Sequence, residues 1–232
     1  MTPRPPDDRD APAGQGTEFD HVSRRPGGWT VPALVLAWSV MVAAGLSIVW
    51  RYEHAAGPLH AAPDRWPSGS QIERSPERWT LVLFAHPKCP CTRATLGELA
   101  RIMTHCAADR VQASALFVKP PACALEPGWE YSQLWQTAEQ IPGLSVSADP
   151  GGVEANRFAA AISGLVLLYD PAGRLMFRGG ITASRGHSGD NLGRSTIVQL
   201  LNQGTGDVDS TKVYGCELGT NLQETHRSCH QP

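Results

Sequence analysis

The feature that most restricts the fold of this chain is an apolar run that leads into two cysteines and then into an amphipathic helix. Residues 81–84 are LVLF, a short apolar run without helical periodicity, which predicts a buried β-strand. After the cysteines, apolar side chains recur on one helical face at Leu96, Leu99, Ala100 and Met103. Cys89 and Cys91 therefore lie at a helix N-terminus, where unpaired N–H groups and the positive end of the helix dipole favour thiolate over thiol.

Only Pro90 separates the two cysteines, and this spacing limits how they can pair. Side chains two residues apart in a helix point about 200° apart, so Cys89 and Cys91 cannot form a disulfide inside a regular helix. Pro90 disfavours helical geometry at Cys89, which predicts a helix that begins at Pro90 or Cys91. A disulfide in so tight a ring is strained and easily reduced. We expect a labile disulfide, with Cys89 as the exposed nucleophile and Cys91 as the resolving thiol.

Two basic residues precede the pair, His86 and Lys88. Either could lower a thiol pKa through its positive charge, and His86 could also shuttle a proton. Alternatively, His86 only ends the strand and Lys88 is solvated. We count His86 with Cys89 and Cys91 as the candidate catalytic residues.

The N-terminal 70 residues do not have the composition of a globular domain. Residues 1–28 are rich in Pro, Gly, Asp and Arg and are expected to be disordered. Residues 29–50 contain no charged residue and have a tryptophan at each end, which predicts a single-pass transmembrane helix. Residues 51–70 are expected to form a linker. A folded domain at residues 71–203 and a flexible, polar tail at residues 204–232 are expected to follow.

The charges around the apolar segment favour one orientation only slightly. Arg24 and Arg25 precede it and Arg51 follows it, so the basic bias weakly places the N-terminus in the cytoplasm. The cysteine site, which suits an oxidising compartment, decides for the same orientation. A cleaved signal peptide with a small-residue site at residues 54–56 is the alternative. The net charge of −2 and the lack of a basic stripe give no support to nucleic-acid binding.

The rest of the sequence alternates between strand and helix patterns. Beyond the first strand and helix, the predicted elements are a strand at 111–118, a helix at 129–140, a short strand at 143–147, a short helix ending at 158, a hairpin of strands at 165–169 and 174–177, and a closing helix at 195–201. The order βαβα(β)αββα is that of a thioredoxin fold, an α/β structure with a mixed sheet and helices on both faces.

Three stretches carry a resemblance to a known group: HPKCPCTRATLGELARIM, DPGGVEANRFAAAISGLVLLYDPAGRLMFRGGI and SRGHSGDN. They are similar to membrane-anchored bacterial thioredoxin-like proteins of the RedB-like group, and the likeness covers Trp79 to Leu201. The resemblance implies an extracytoplasmic redox domain with Cys89 and Cys91 as the redox pair. With the apolar segment as anchor, it implies a location in the bacterial inner membrane with the domain in the periplasm.

The sequence departs from thioredoxins at the strand that faces the pair. Thioredoxins carry a cis-proline there, which helps to hold the substrate backbone, whereas this chain has Ser163 and Gly164. The hairpin should bring the loop at residues 179–193 to the same edge, so Ser163, Gly164, Arg185 and His187 are expected on the substrate side. The loop could supply a proton donor, an anion contact or a metal ligand, or it could be an ordinary surface loop.

Four further cysteines are Cys106, Cys123, Cys216 and Cys229. Four cysteines allow three sets of pairings, which the sequence does not separate. An oxidising compartment permits a bridge between Cys106 and Cys123, and two free thiols are the alternative. Cys216, although it lies in the expected tail, could reach the redox pair as a further exchange partner.

These observations favour a thiol–disulfide oxidoreductase that needs no cofactor beyond its redox-active disulfide and acts on a protein or small thiol or disulfide. The alternative is a thioredoxin-fold protein that binds copper(I) for metal delivery through Cys89, Cys91 and His86 or His187, because soft thiolates and imidazole suit this ion. A peroxiredoxin-type peroxidase ranks last, because Thr92 follows the pair rather than preceding it. The physiological partner, and the direction of electron flow, stay open at this point.

Overall fold

The computed structural model describes residues 29–106, 109–119 and 128–219, and its folded domain is built on a five-stranded sheet. The strands are β1 (Trp79–Ala85), β2 (Val111–Lys119), β3 (Leu144–Pro150), β4 (Leu165–Tyr169) and β5 (Leu175–Gly179), in the order β3-β2-β1-β4-β5. The first three are parallel, and β4 is antiparallel to both β1 and β5. The helices are α1 (Thr30–Glu53), α2 (Cys91–His105), α3 (Gln133–Glu139), α4 (Val153–Arg157) and α5 (Leu192–Gln203). This confirms the predicted thioredoxin-like fold.

The limits of two helices differ from the predicted ones because of capping residues. Helix α3 begins only after Ser132, whose side chain accepts a hydrogen bond from the backbone N–H of Trp135. Helix α5 begins earlier than predicted, because the Asn191 side chain accepts a hydrogen bond from the N–H of Arg194. Both are N-caps, which satisfy otherwise unpaired donors of the first helical turn.

Helix α1 is the predicted N-terminal apolar helix and continues three residues beyond the expected end. Its 24 residues correspond to about 36 Å, and its best 18-residue window has a mean hydropathy of 2.1. None of its side chains is buried. By length and composition it could cross a bilayer. The chain divides into two compact units between Ser47 and Ile48, and the expected disorder of residues 1–28 concerns residues outside those described.

Strand β1 is buried on both faces and lies at the centre of the core. Leu81 and Leu83 point to the face covered by α2, α3 and α5, whereas Val82 and Phe84 point to the opposite face, where Phe158 follows α4. A strand buried on both sides is uniformly apolar rather than alternating, as the LVLF run predicts. The end of β1, where the cysteine turn begins, is thus fixed by two hydrophobic clusters.

Residues 54–70, within the expected linker, pack along the second face of the sheet. Ala62 is buried there, and the Trp66 ring meets the rings of Phe158 and Tyr169 edge-on, with centroids 5.1 Å apart in each case. The Tyr169 hydroxyl donates a hydrogen bond of 3.0 Å to the carbonyl of Pro63. This segment therefore covers apolar surface of the domain as well as joining it to α1.

Residues 209–218, here termed the C-terminal segment, also pack on the domain, which corrects the expected flexible tail for this part of residues 204–232. Val213 and Leu218 are each 1% exposed and belong to the second cluster. The backbone N–H of Leu218 donates to the carbonyl of Ala161 at 2.8 Å. Apolar burial and backbone pairing outweigh the polar, glycine-rich composition on which the expectation of flexibility rested. Cys123 and Cys229 lie outside the described residues, so the bridge between Cys106 and Cys123 stays a prediction.

Candidate active site

The two cysteines occupy the turn between β1 and α2. The backbone of Pro90 is already helical, with φ −63° and ψ −28°, and Cys91 is the first residue of α2. Cys89 precedes the helix, and its N–H donates to the carbonyl of His86 at 3.1 Å. The structure therefore places Cys89 before the helix and Cys91 at its first residue, which agrees with the helix start predicted from Pro90.

Both cysteines of the pair are covered. Cys89 is 0% exposed and Cys91 is 9% exposed, whereas Cys216 is partly exposed. The expectation of an exposed nucleophile at Cys89 is therefore wrong. The C-terminal segment contributes to this cover, because its backbone pairs with Ser163 and Cys216 is hydrogen-bonded to Cys89.

Hydrogen bonds stabilise the thiolate of Cys89 despite this burial. Burial alone raises the pKa of its thiol, but hydrogen bonds from the thiol and backbone N–H of Cys216, the N–H of Cys91 and the Thr92 hydroxyl outweigh it and lower the pKa below its ordinary value. Donors that converge on one sulfur favour its charged form. The lowered pKa gives Cys89 more thiolate character than an ordinary cysteine has.

Cys91 has the opposite character. Burial, the negative charge of Cys89 and a hydrogen bond given to Cys89 raise the pKa of its thiol, while the Arg185 guanidinium partly opposes this through its charge and a hydrogen bond. A thiol of lowered pKa in contact with one of raised pKa is an arrangement suited to disulfide exchange.

Cys216 completes a group of three thiols. Burial, its hydrogen bond to Cys89 and the charges of Cys89 and Cys91 raise the pKa of Cys216 to about 12, with Arg185 opposing. In the reduced protein Cys216 is therefore protonated and serves as a donor to the Cys89 sulfur. The suggestion from sequence that Cys216 could reach the pair agrees with this placement.

Ser163, which stands near the cis-proline position of thioredoxins, ties three parts of the site together. Its hydroxyl accepts a hydrogen bond from the N–H of His86 and shares another with the Thr92 hydroxyl, both at 2.9 Å. Its own N–H donates to the carbonyl of Cys216 at 2.8 Å. The buried serine thereby holds the end of β1, the start of α2 and the C-terminal segment in register.

Gly164 follows in a conformation that favours glycine. Its φ is +94°, and a Cβ atom there would lie 3.2 Å from the Thr95 hydroxyl. Its N–H donates to the carbonyl of Phe84 at 2.8 Å. No cis peptide bond occurs among the described residues. Gly164 thus allows a close backbone approach to the end of β1 and to the first turns of α2.

His86 and Lys88 have local partners. The Nδ1 atom of His86 accepts a hydrogen bond of 3.1 Å from the N–H of Lys88, which places the proton of the neutral ring on Nε2. Burial and the charge of Lys88 lower the pKa of His86, which favours the neutral ring. The Lys88 ammonium lies 5.0 Å from the centre of the Trp129 ring. A neutral His86 does not supply the positive charge that one sequence hypothesis required, and its role in proton transfer stays a prediction.

The loop at residues 179–193 contributes Arg185 to the site but not His187. Besides its contact with Cys91, Arg185 donates from Nη1 to the carbonyl of Gly215 at 2.9 Å. His187 is exposed, and its backbone N–H bonds to Ser184. Although the thiols of Cys89, Cys91 and Cys216 are in contact, the described residues contain no set of three His, Cys, Asp or Glu side chains arranged to hold a metal ion. The copper ligand set of Cys89, Cys91 and His187 is not brought together.

Sequence reasoning missed Glu98, which fixes the far half of this loop. Glu98 is 0% exposed and ion-paired with Arg101 and Arg194, and it accepts a hydrogen bond of 2.8 Å from the N–H of Gly189. A carboxylate on the core side of an amphipathic helix is the signal that could have pointed to such a partner.

The fold and the cysteine turn together define a thioredoxin-like domain with a thiol pair. No family model and no curated protein matches the chain. Among solved structures, a hypothetical protein from Sinorhizobium meliloti 1021 is similar over 70% of this chain and 96% of its own, with a TM-score of 0.54 and 17% identity. An uncharacterized conserved protein from Geobacillus kaustophilus matches 61% of this chain and 77% of its own, with a TM-score of 0.48 and 19% identity. The exposed lipoprotein thioredoxin Etrx1 from Streptococcus pneumoniae matches 62% and 99%, with a TM-score of 0.37 and 18% identity.

Proposed function

We propose that this protein is a membrane-anchored, extracytoplasmic thiol–disulfide oxidoreductase of the RedB-like group that acts on thiols or disulfides of protein or small-molecule partners. The observation that carries the proposal is the contrast between Cys89 and Cys91. Hydrogen bonds lower the pKa of Cys89, whereas burial and the Cys89 charge raise that of Cys91. A stabilised thiolate next to a protonated thiol at a helix N-terminus is suited to disulfide exchange.

In the reductive direction, the Cys89 thiolate attacks one sulfur of a partner disulfide. A mixed disulfide forms and the partner's other sulfur leaves as a thiolate, which takes up a proton. Cys91 then loses its proton and attacks Cys89, which forms the Cys89–Cys91 disulfide and releases the partner as a dithiol. Two electrons pass from the chain to the partner, and the oxidative direction reverses each step. No cofactor beyond the disulfide takes part in this scheme.

The location follows from α1 and from the chemistry. An apolar helix of 24 residues near the N-terminus suits a single membrane span, and a disulfide site suits an oxidising compartment. We place the anchor in the bacterial inner membrane and the redox domain in the periplasm. Reporter domains fused after Pro232 test this location. A reporter that works only outside the cytoplasm should be active, and one that works only in the cytoplasm should be inactive.

The redox proposal is tested on the full chain in detergent micelles, equilibrated in glutathione redox buffers and then alkylated. We expect a reversible disulfide that includes Cys89. This disulfide should be lost in Cys89→Ser and unchanged in the control variant Cys106→Ala. A parallel titration with copper(I) addresses the alternative. Tight copper binding without any disulfide in the redox buffers would reverse the assignment in favour of a copper carrier.

A further inference from the structure

The buried position of Cys89 leaves a question for any partner that must reach it. Its sulfur has no exposed surface, and Cys91 has little. Cys216, in contact with Cys89, is the more exposed of the three thiols. A partner that approaches the folded domain therefore meets Cys216 before it meets the pair.

The backbone around Cys216 holds this thiol in place. The carbonyl of Cys216 accepts a hydrogen bond from Ser163, and the next residue, Glu217, forms an antiparallel bridge with Ile162. Gly215 lies so close to the carbonyl of Ser163 that any side chain would overlap it. Arg185 bonds to the Gly215 carbonyl at 2.9 Å. The contact between Cys216 and Cys89 is thus built into the fold by long-range pairing.

We propose that Cys216 is the exchange thiol of this protein: it forms a disulfide with Cys89 and passes electrons between external partners and the buried pair. This inference rests on the proposed redox function and adds the route by which a partner reaches it.

The relay begins from the Cys89–Cys91 disulfide. The Cys216 sulfur gives up its proton and attacks Cys89, the Cys89–Cys91 bond breaks, and Cys91 takes up a proton. One disulfide replaces another, so no external oxidant is needed. When Cys89 and Cys91 are joined, the thiolate of Cys89, whose hydrogen bond and charge raise the pKa of Cys216 in the reduced protein, is gone. Cys216 is therefore a better nucleophile when there is a disulfide for it to attack. Arg185 stabilises the departing Cys91 thiolate.

A partner dithiol then reacts at the accessible sulfur. Its thiolate attacks Cys216, and Cys89 leaves as the thiolate. The lowered pKa of Cys89 makes it the better leaving group of the two sulfurs. The partner's second thiol displaces Cys216, which yields a partner disulfide and three thiols on the chain. Two electrons move from the partner to the chain, and the reverse sequence reduces a partner disulfide.

Disulfide mapping on the full chain in detergent separates these linkages. Trypsin releases Cys89 and Cys91 together on residues 89–93 and Cys216 on residues 213–227. A Cys89–Cys91 disulfide therefore leaves the first peptide unlinked and lighter by two hydrogens, whereas a Cys89–Cys216 disulfide joins the two peptides. After equilibration with oxidised glutathione and acid quenching, we expect both products in the wild type.

Two variants decide the assignment. Cys91→Ser should convert nearly all of the protein into the linked form, and Cys216→Ser should retain the Cys89–Cys91 disulfide but oxidise reduced, unfolded ribonuclease A at least about tenfold more slowly. Cys106→Ala, which removes a buried thiol about 20 Å away at the other end of α2, should leave this rate unchanged.

The outcomes separate the relay from the underlying function. If Cys91→Ser carries glutathione on Cys89 while Cys216 stays free, or if Cys216→Ser oxidises ribonuclease A at the wild-type rate, the relay is wrong and the redox function stands. If residues 89–93 form no disulfide of any kind in the wild type, the redox function itself fails, and the relay with it.

Discussion

The two ends of helix α2 each carry a buried cysteine, and the two thiols have opposite properties. Cys89, which precedes the first turn, is 0% exposed, and hydrogen bonds lower the pKa of its thiol. Cys106, at the last turn, is 5% exposed, and burial raises its pKa, with Arg110 only partly opposing. The helix dipole favours negative charge at the first end and disfavours it at the second. Burial is thus common to both cysteines, and the hydrogen-bond donors around the Cys89 sulfur account for the opposite direction of its pKa shift.

The C-terminal segment supplies the decisive donors at the reactive end. Two of the groups that donate to the Cys89 sulfur, a thiol and a backbone N–H, belong to Cys216. Among the described residues, no hydrogen-bond donor contributes to the pKa shift of Cys106, which belongs to the apolar core cluster. Substitutions that remove one donor or one contact at the Cys89 end can therefore be compared with control substitutions at Cys106 or at positions that do not contact the cysteine pair.

The largest effect is expected from Gly215→Val, which should displace the C-terminal segment. The new side chain would overlap the carbonyl of Ser163, so Cys216 could no longer seat against Cys89. In the reduced full chain above pH 10, where thiolate formation is not limiting, iodoacetamide should alkylate Cys89 about tenfold faster or more. Gly97→Ala is the matched control, because its Cβ would meet only the Ser188 hydroxyl oxygen at 3.9 Å. Equal rates in the two variants would show that the segment does not shield the pair.

Removing the thiol donor should raise the pKa of Cys89. Cys216→Ala deletes a hydrogen bond to a charged sulfur, which corresponds to about one to two pKa units. The pH dependence of thiolate absorbance or of alkylation rate measures this. Cys216→Ser keeps an O–H donor and should shift the pKa less, and Cys106→Ala should not shift it. An unchanged pKa in Cys216→Ala would mean that the backbone N–H groups and Thr92 suffice.

This reactive end was predictable from sequence only in part. The strand, the turn and the start of α2 follow from local signals: the LVLF run, Pro90 and the apolar face that includes Leu96. The contact of Cys216 with Cys89 depends on pairing between Ile162 and Glu217, residues far apart in sequence, for which no local pattern exists. The sequence did contain one signal that this segment packs on the domain, namely the apolar residues Val213 and Leu218 in an otherwise polar tail. Both are buried in the core.

The positions of the expected substrate-side residues were likewise predictable from sequence only in part. The hairpin topology correctly indicated that Arg185 lies near the pair, because β5 returns to the edge where β1 ends. Whether His187, two residues later, also faces the pair depends on the path of the loop. That path is fixed by the buried carboxylate of Glu98 through Gly189 and Arg194. Periodicity does not encode such a long-range ion pair.

Ser163→Ala should destabilise the domain by a moderate amount. It removes the acceptor of the His86 N–H and the partner of the Thr92 hydroxyl in a buried setting. The loss should be about 1–2 kcal/mol in the free energy of unfolding, measured by urea denaturation of the reduced protein. Ser195→Ala, which removes an exposed hydroxyl bonded to the carbonyl of Asn191, should change it by less than about 0.5 kcal/mol. Equal losses would remove Ser163 as a tie between β1, α2 and the C-terminal segment.

The smallest effect is a difference in sign between the two ends of α2 in the dependence of stability on pH. The pKa of Cys89 is lower in the folded protein than in the unfolded chain. At a pH between these two pKa values the unfolded chain binds more protons, so Cys89 makes the free energy of unfolding rise with pH. The folded pKa of Cys106 is above its unfolded value, so the contribution of Cys106 is present below about pH 8.5 and is lost as pH rises further. The free energy of unfolding is measured against pH for the wild type and both variants. The wild-type curve minus that of Cys89→Ala should have a positive slope below about pH 8.5. The wild-type curve minus that of Cys106→Ala should have a negative slope above about pH 8.5. Cys91 and Cys216 have raised pKa values and titrate above this pH, so they contribute little to the Cys89 difference curve below it. Two slopes of the same sign would mean that burial alone governs the pKa values of both cysteines.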